Sequence, residues 1–132
     1  MEKIIVQIGW CDNYCAASDE ILGCVACSDT IEGIKKEYRS ALDFHIKGML
    51  EDGDELPEKL KNEYELVFEL DTSAMLHSLD RIVTRKAIAK VTGINEALLT
   101  HYANGFRKPR PVQRQRIIDG IHQIGRELTL IG

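Results

Sequence analysis

Apolar and polar residues alternate with a period of two in three short stretches at the start of the chain. Residues 3–10 place four apolar side chains on one face, which is the pattern of a strand with one buried face. Residues 14–18 and 22–28 form two further runs, separated by turn-forming Asp, Asn and Ser residues. This spacing predicts three antiparallel strands joined by tight turns.

The period changes after Ser28. Asp29 or Thr30 can cap a helix whose apolar positions recur every three or four residues. These positions are Ile31, Ile34, Tyr38, Ala41, Leu42, Ile46, Met49 and Leu50. An acidic loop at 51–55 ends the helix, and residues 64–70 alternate again. A strand that follows a helical crossover joins its sheet parallel to a neighbour, so residues 1–70 are predicted to form a β-β-β-α-β unit.

No strand pattern remains from residue 71 onward. Thr84 and Asn95 can cap two short helices, which end at Gly93 and Gly105. Pro111 suits the first turn of a last helix with an apolar stripe. We therefore predict an α+β chain of two domains, a sheet-and-helix domain at 1–70 and an all-helical domain at 71–132.

The charge divides in the same way. Residues 1–70 contain 7 Lys and Arg and 16 Asp and Glu, a net charge of −9, whereas residues 71–132 contain 10 and 5, a net charge of +5. The formal total of −4 conceals this division. Such an asymmetry predicts different partners for the two domains. The basic domain, residues 71–132, is expected to bind a polyanion.

Four cysteines bear on the cellular compartment. No secretory leader and no membrane-spanning apolar run is apparent, so we expect a cytoplasmic protein with Cys11, Cys15, Cys24 and Cys27 as free thiols. A zinc site would need all four thiolates to converge. Cys24 and Cys27 lie three apart on a predicted strand and should point to opposite faces, which favours small strand residues over metal ligands.

Residues 85–109, RKAIAKVTGINEALLTHYANGFRKP, carry the main functional signal. Two short helices joined at Gly93 match a helix-turn-helix, whose second helix enters the major groove of DNA. The predicted base-contacting residues are Asn95, Glu96, Ala97, Thr100 and His101, and the predicted phosphate-contacting residues are Asn104, Arg107 and Lys108. His101 fits a plain surface histidine equally well. The alternative for the whole segment is a helical bundle with a solvated basic face.

Residues 84–110 resemble the lambda-repressor-like (Xre-type) DNA-binding family at Ala89, Gly93, Asn104-Gly105 and Arg107-Lys108-Pro109. The chain as a whole resembles the HicB antitoxins of type II toxin–antitoxin pairs. The opening strand KIIVQIGW, the segment LGCVACSDTIEGIKKEYRSALDFHIKGMLEDGDELPE and the C-terminal helices carry this resemblance.

The resemblance implies a partial RNase-H-like N-terminal domain that binds HicA, a small basic mRNA endoribonuclease. It also implies a C-terminal domain that forms a homodimer or higher homo-oligomer and binds the operator of its own operon. Glu96 departs from the family, in which Gln is common at this position. Glu accepts a hydrogen bond from cytosine whereas Gln pairs with adenine, so the operator sequence stays open.

An enzyme is not expected. The carboxylates Asp12, Glu20, Asp29 and Asp43 have no spacing that predicts the metal-binding cluster of a nuclease, and no cofactor or metal motif is present. We therefore interpret the chain as an antitoxin that also represses its operon. The alternative is a stand-alone DNA-binding regulator whose N-terminal domain serves assembly or ligand sensing. The dimer surface is left open between residues 111–128 and the sheet edge.

Overall fold

The computed structural model describes all residues from Met1 to Gly132. They form two compact units, unit 1 at Met1–Asp71 and unit 2 at Thr72–Gly132. The chain is mixed α+β, as the hydrophobic pattern predicted, with one four-stranded sheet and five α-helices. None of the helices is long and apolar enough to cross a bilayer.

Unit 1 contains the whole sheet. Its elements are β1 (Glu2–Trp10), β2 (Tyr14–Ser18), β3 (Ile21–Ser28), α1 (Ile31–Glu51), a single 3₁₀ turn (Glu58–Leu60) and β4 (Tyr64–Leu70). The strand order is β3-β2-β1-β4. β1 pairs antiparallel with β2 and parallel with β4, where Ile4 lies opposite Leu66. The parallel pairing predicted from the helical crossover is therefore present.

Helix α1 covers one face of this sheet. Thr30 begins the helix by accepting a hydrogen bond from the Gly33 N–H at 2.9 Å. Ile34, Tyr38 and Leu42 are buried against the strands. Leu50 was predicted to share their stripe but is exposed. It lies eight residues after Leu42, which rotates its side chain by about 80° around the helix axis, away from the buried face. The buried strand residues are Ile4, Val6, Ile8, Tyr14, Ala16, Ile21 and Cys24.

Side chains extend the β1–β2 pairing beyond the end of β2. The Ser18 hydroxyl donates to the Ile5 carbonyl at 2.6 Å, and the Glu20 carboxylate accepts from the Ile5 N–H at 2.9 Å. Glu20 also forms an ion pair with Lys59. The Lys59 ammonium and the Ile5 N–H together hold the pKa of Glu20 below its usual value. The turn between β2 and β3 is thus tied to the segment that leads into β4.

The expectation of four free thiols is wrong for two of them. Cys15 and Cys27 lie directly opposite each other on β2 and β3, with their Cα atoms 4.2 Å apart, and form a disulfide. The sequence did not reveal this pair because the register between the strands depends on an irregularity at Ala17 and Ser18. Cys24 is buried and Cys11 is exposed. Cys27 is exposed on β3, so Cys24 and Cys27 point to opposite faces of the strand.

Unit 2 is entirely helical. Its elements are α2 (Thr72–Leu79), α3 (Arg85–Thr92), α4 (Glu96–Ala103) and α5 (Pro111–Thr129). Their apolar faces meet in a single core, formed by Leu76, Ile88, Ile94, Leu99, Tyr102, Ala103 and Ile117. Helix α5 lies close to the end of α3, because an added Cβ at Gly120 would overlap the Thr92 side chain.

Candidate nucleic-acid interface

Helices α3 and α4 are joined by a short turn whose geometry is set by three residues. Gly93 has the left-handed φ of 74° that ends α3. Ile94 is buried in the core of unit 2, and the Asn95 side chain begins α4 by accepting from the Ala97 N–H at 2.8 Å. The turn therefore fixes the direction of α4, with one face of the helix buried and the other exposed.

The exposed face of α4 carries most of the residues predicted to contact bases. Glu96, Ala97 and His101 are exposed, and Leu99 on the opposite side is fully buried. The carboxamide oxygen of Asn95 is engaged by the helix itself, so the part of this side chain left for a partner is its NH₂ group.

Thr100 is half-buried and lies close to another helix. Its hydroxyl oxygen is 3.5 Å from Nη1 of Arg85, and Nη2 of the same guanidinium donates to Asp80 at 3.0 Å. Arg85 thereby connects the first turn of α3 with the middle of α4. This role was not apparent in the sequence, since Arg85 there is one of several basic residues.

A basic loop, defined here as residues 104–110, follows α4. Asn104, Arg107, Lys108 and Arg110 in this loop are exposed. Arg107, Lys108 and Arg110 border a groove of about 400 Å³ beside Tyr102 and the first turn of α5. The two predicted phosphate-binding cations, Arg107 and Lys108, thus both line a single concave surface.

Helix α5 begins in this groove without a side-chain cap. Arg110 occupies the cap position, Pro111 is the first helical residue, and no side chain accepts from the first turn. The N–H groups of Val112 and Gln113 are therefore available to an anion at the positive end of the helix. The groove consequently combines three cationic side chains with backbone donors, which is an arrangement suited to phosphate oxygens.

Two arginines that add to the positive charge of residues 71–132 form hydrogen bonds inside unit 2. Nη2 of Arg116 donates to the Thr92 carbonyl at 2.7 Å, and Nη1 of Arg114 donates to the Thr72 hydroxyl at 2.9 Å. Both side chains hold α5 to other helices. Lys86 and Lys90 on α3 are exposed, as a phosphate contact requires.

Phe106 was missed by the sequence interpretation. Its side chain is 76% exposed, although it is a large aromatic residue, and its ring lies 6.0 Å from the His101 ring in an edge-on arrangement. An exposed aromatic ring inside a basic loop can stack on or insert beside a base or sugar. The signal available in the sequence was a phenylalanine placed between Gly105 and Arg107.

The carboxylates considered for catalysis do not form a metal cluster. Nowhere in the chain do three or more His, Cys, Asp or Glu side chains come together in a way that could hold a metal ion. Cys15 is bound to Cys27, so it is not a free thiolate. In unit 1, burial raises the pKa values of Cys24 and Tyr38, which makes both groups poor nucleophiles.

Comparison with known proteins finds a partial match to a phage protein. The chain is 39% identical over 46 residues to an uncharacterised 14.9 kDa protein in the rep-hol intergenic region of Haemophilus phage HP1, strain HP1c1. The matched segment is 35% of this chain and 35% of the phage protein. No protein-family profile matches the chain.

Proposed function

We propose that the protein is an antitoxin of the HicB type, which represses its own operon through unit 2 and neutralises a basic toxin through unit 1. In this proposal α3 and α4 are a lambda-repressor-like helix-turn-helix, and the sheet with α1 is a partial RNase-H-like domain. Seven of the eight residues predicted from the sequence to contact DNA are exposed, and they follow one another along α4 and the basic loop. This single observation carries the DNA-binding part of the proposal.

The direction of α4 supports DNA binding. Glu96, Ala97 and His101 lie on the exposed side of the helix, starting from its first turn. A recognition helix reads base edges with its N-terminal residues. Arg107, Lys108 and the uncapped start of α5 come directly after this helix, where they can hold the DNA backbone and fix the register of the helix.

The charge of each unit supports two different partners. Unit 2 contains 10 Lys and Arg and 4 Asp and Glu, whereas unit 1 contains 7 and 17. These counts give formal charges of +6 and −10. A charge of −10 attracts a basic protein and repels DNA, and opposite charge accelerates the encounter of two proteins.

The DNA-binding part of the proposal can be tested by fluorescence anisotropy. The full chain is titrated with a labelled duplex from the region upstream of its own gene and with a shuffled duplex, at several salt concentrations. We expect preferential binding of the upstream duplex and an affinity that falls steeply with salt. Replacing Arg107 and Lys108 together by Ala should weaken binding to both duplexes and reduce the salt slope by about 2.

Lys36→Ala is the matched control, since it removes an exposed positive charge from unit 1 and should leave DNA affinity unchanged. Equal affinity of the wild type for both duplexes, or an R107A/K108A variant that binds like the wild type, contradicts the proposed interface.

The antitoxin part is tested by locating an adjacent reading frame that encodes a small basic protein and co-expressing its product with this chain. Relief of that protein's toxicity together with co-purification supports the proposal. Specific DNA binding without neutralisation would instead favour the stand-alone DNA-binding regulator. Light scattering measures the oligomeric state, for which we expect a homodimer or a larger assembly that spans two half-sites about 34–36 Å apart.

A further inference from the structure

A groove of about 490 Å³ runs in unit 1 between α1 and β3. On the helix side it is lined by Ala41, Phe44 and Gly48, which recur at intervals of three and four residues, and on the strand side by Val25. β3 is an outer strand of the sheet, with β2 as its one neighbour. The groove therefore combines one face of a helix with a free strand edge.

The apolar side chains at this groove are unusually exposed. Phe44 is 80% exposed and Val25 is 62% exposed, and Leu22 on the same strand is 81% exposed. Free strand edges with exposed apolar residues invite pairing and are usually protected. Large aromatic residues are also the side chains that most often anchor protein interfaces. These features indicate a surface that another molecule covers.

Gly48 keeps the helix side of this groove open. A glycine inside a helix is less stable than alanine, so its presence calls for a reason. At Gly33 the reason is local, because an added Cβ would collide with the hydroxyls of Ser28 and Thr30. At Gly48 an added Cβ would meet no atom within 4 Å. The space above Gly48 is therefore not needed by unit 1 and is open to close approach by a partner.

The charge at one end of the groove selects the kind of partner. Asp52 and Asp54 line this end, and neither carboxylate takes part in a salt bridge. Glu55 and Glu58, by contrast, pair with Lys61. The uncompensated charge at the groove is thus negative. A second copy of unit 1 would bring carboxylates against carboxylates, whereas a basic surface complements them.

We propose that this groove is the docking site for the basic toxin of the antitoxin proposal, on which this inference rests. The partner places an apolar side chain against Phe44, its backbone approaches α1 at Gly48, and its Lys or Arg side chains face Asp52 and Asp54. The surface is confined to unit 1 and is separate from the DNA-binding surface of unit 2.

The test compares two identical substitutions in different helices. Gly48→Leu fills the groove, and Gly125→Leu adds the same side chain to α5 of unit 2, where an added Cβ also meets no atom within 4 Å. The full-length variants are titrated by calorimetry with the small basic protein encoded beside this chain. We expect at least a tenfold loss of affinity for Gly48→Leu and no change for Gly125→Leu.

Two further variants keep the test independent of folding. Phe44→Ser changes a side chain that is already exposed, so it should leave the melting temperature unchanged and still weaken binding at least tenfold. Asp52→Asn combined with Asp54→Asn should slow association at low salt and make it less dependent on salt. The melting temperature of every variant shows that it is folded.

The outcomes separate this inference from the function on which it rests. If the wild type binds its neighbour and Gly48→Leu and Phe44→Ser bind equally well, the docking site is wrong and the antitoxin function stands. If the wild type does not bind, or no such neighbouring gene exists, both proposals fail. If Gly48→Leu instead reduces the size of a homo-oligomer, the groove holds a second copy and the inference is overturned.

Discussion

Nη2 of Arg116 donates a hydrogen bond of 2.7 Å to the backbone carbonyl of Thr92, the last residue of α3. Carbonyls at the end of a helix have no partner within the helix, and a cationic donor near that end is favourable. Arg116 thereby connects α5 with the turn between α3 and α4, which sets the direction of α4. A side chain that counts as basic surface charge in the sequence thus supports the turn before α4 in the structure.

We expect Arg116→Ala to lower the stability of unit 2 by about 1 kcal/mol, because one hydrogen bond to the end of α3 is lost. Thermal unfolding followed by circular dichroism measures this change. Arg107→Ala is the matched control, since this residue is exposed in the basic loop and should not alter the melting temperature. A variant at Arg116 that melts like the wild type would argue against the supporting role.

Glu96 should determine part of the base preference. It is exposed in the first turn of α4, where a carboxylate accepts a hydrogen bond from cytosine and a carboxamide pairs with adenine. We expect Glu96→Gln to change the preferred base at one operator position, with a discrimination of about 1–3 kcal/mol. Selection from a randomised duplex library reads this change. An unchanged binding motif would show that Glu96 does not face the bases.

Two glycines of α5 should respond to alanine in opposite directions. Gly120 packs so closely on Thr92 that an added methyl group must displace the Thr92 side chain, whereas Gly125 has open space around it. We expect Gly120→Ala to destabilise unit 2 by about 1–3 kcal/mol and Gly125→Ala to stabilise it by up to about 1 kcal/mol. Denaturant unfolding of both variants provides the comparison, and equal effects would contradict the close contact between α3 and α5.

His77 should make the stability of unit 2 depend on pH. Burial lowers its pKa below the usual value of 6.5, which outweighs the opposing influence of Asp80. The unfolded chain therefore takes up a proton at a higher pH than the folded chain. Stability should be fully present above about pH 7, fall as the pH decreases through the unfolded pKa of about 6.5, and level off below the folded pKa.

The melting temperature of the wild type and of His77→Gln, measured between pH 5 and 7.5, tests this expectation. The variant should lose the dependence in this range, where carboxylates with ordinary pKa values stay ionised. If both proteins show the same slope, another group is responsible.

The four cysteines should react in three distinct stages with a maleimide reagent. Cys11 is exposed and should react at once, whereas Cys24 is buried with a raised pKa and should react after unfolding. Cys15 and Cys27 form a disulfide and should need a reductant as well. Mass spectrometry counts the labels at each stage, and four labels on the folded, unreduced protein would contradict the pairing.

Much of the fold was predictable because the hydrophobic period is strong. The alternation in β1 and β4 and the stripe on α1 reflect burial of one face, which a single sequence records directly. The helix caps at Thr30, Thr84 and Asn95 were also predictable from the sequence, because capping needs particular side chains at particular positions. All three accept the expected backbone N–H groups.

The features that escaped prediction depend on pairs of residues far apart in the chain. The disulfide between Cys15 and Cys27 requires the register of two strands, and the role of Arg116 requires the approach of α5 to α3. Phe106 was overlooked for another reason, since a lone aromatic residue in a loop has no periodic signal. A local hydrophobic pattern indicates which face of a helix or strand is buried. It does not indicate which distant residues pack against that face.

The parallel pairing of β1 with β4 also has a consequence for synthesis of the chain. β1 is synthesised first and can pair with β2 as soon as β2 is made. Its other edge stays unpaired until β4 is made, where Ile4 lies opposite Leu66. Contacts so distant in sequence form late and slow folding. A nascent or truncated chain that stops before Tyr64 therefore presents the apolar edge of β1 to other molecules. Premature termination or proteolysis in the acidic loop should yield aggregates rather than a smaller functional protein.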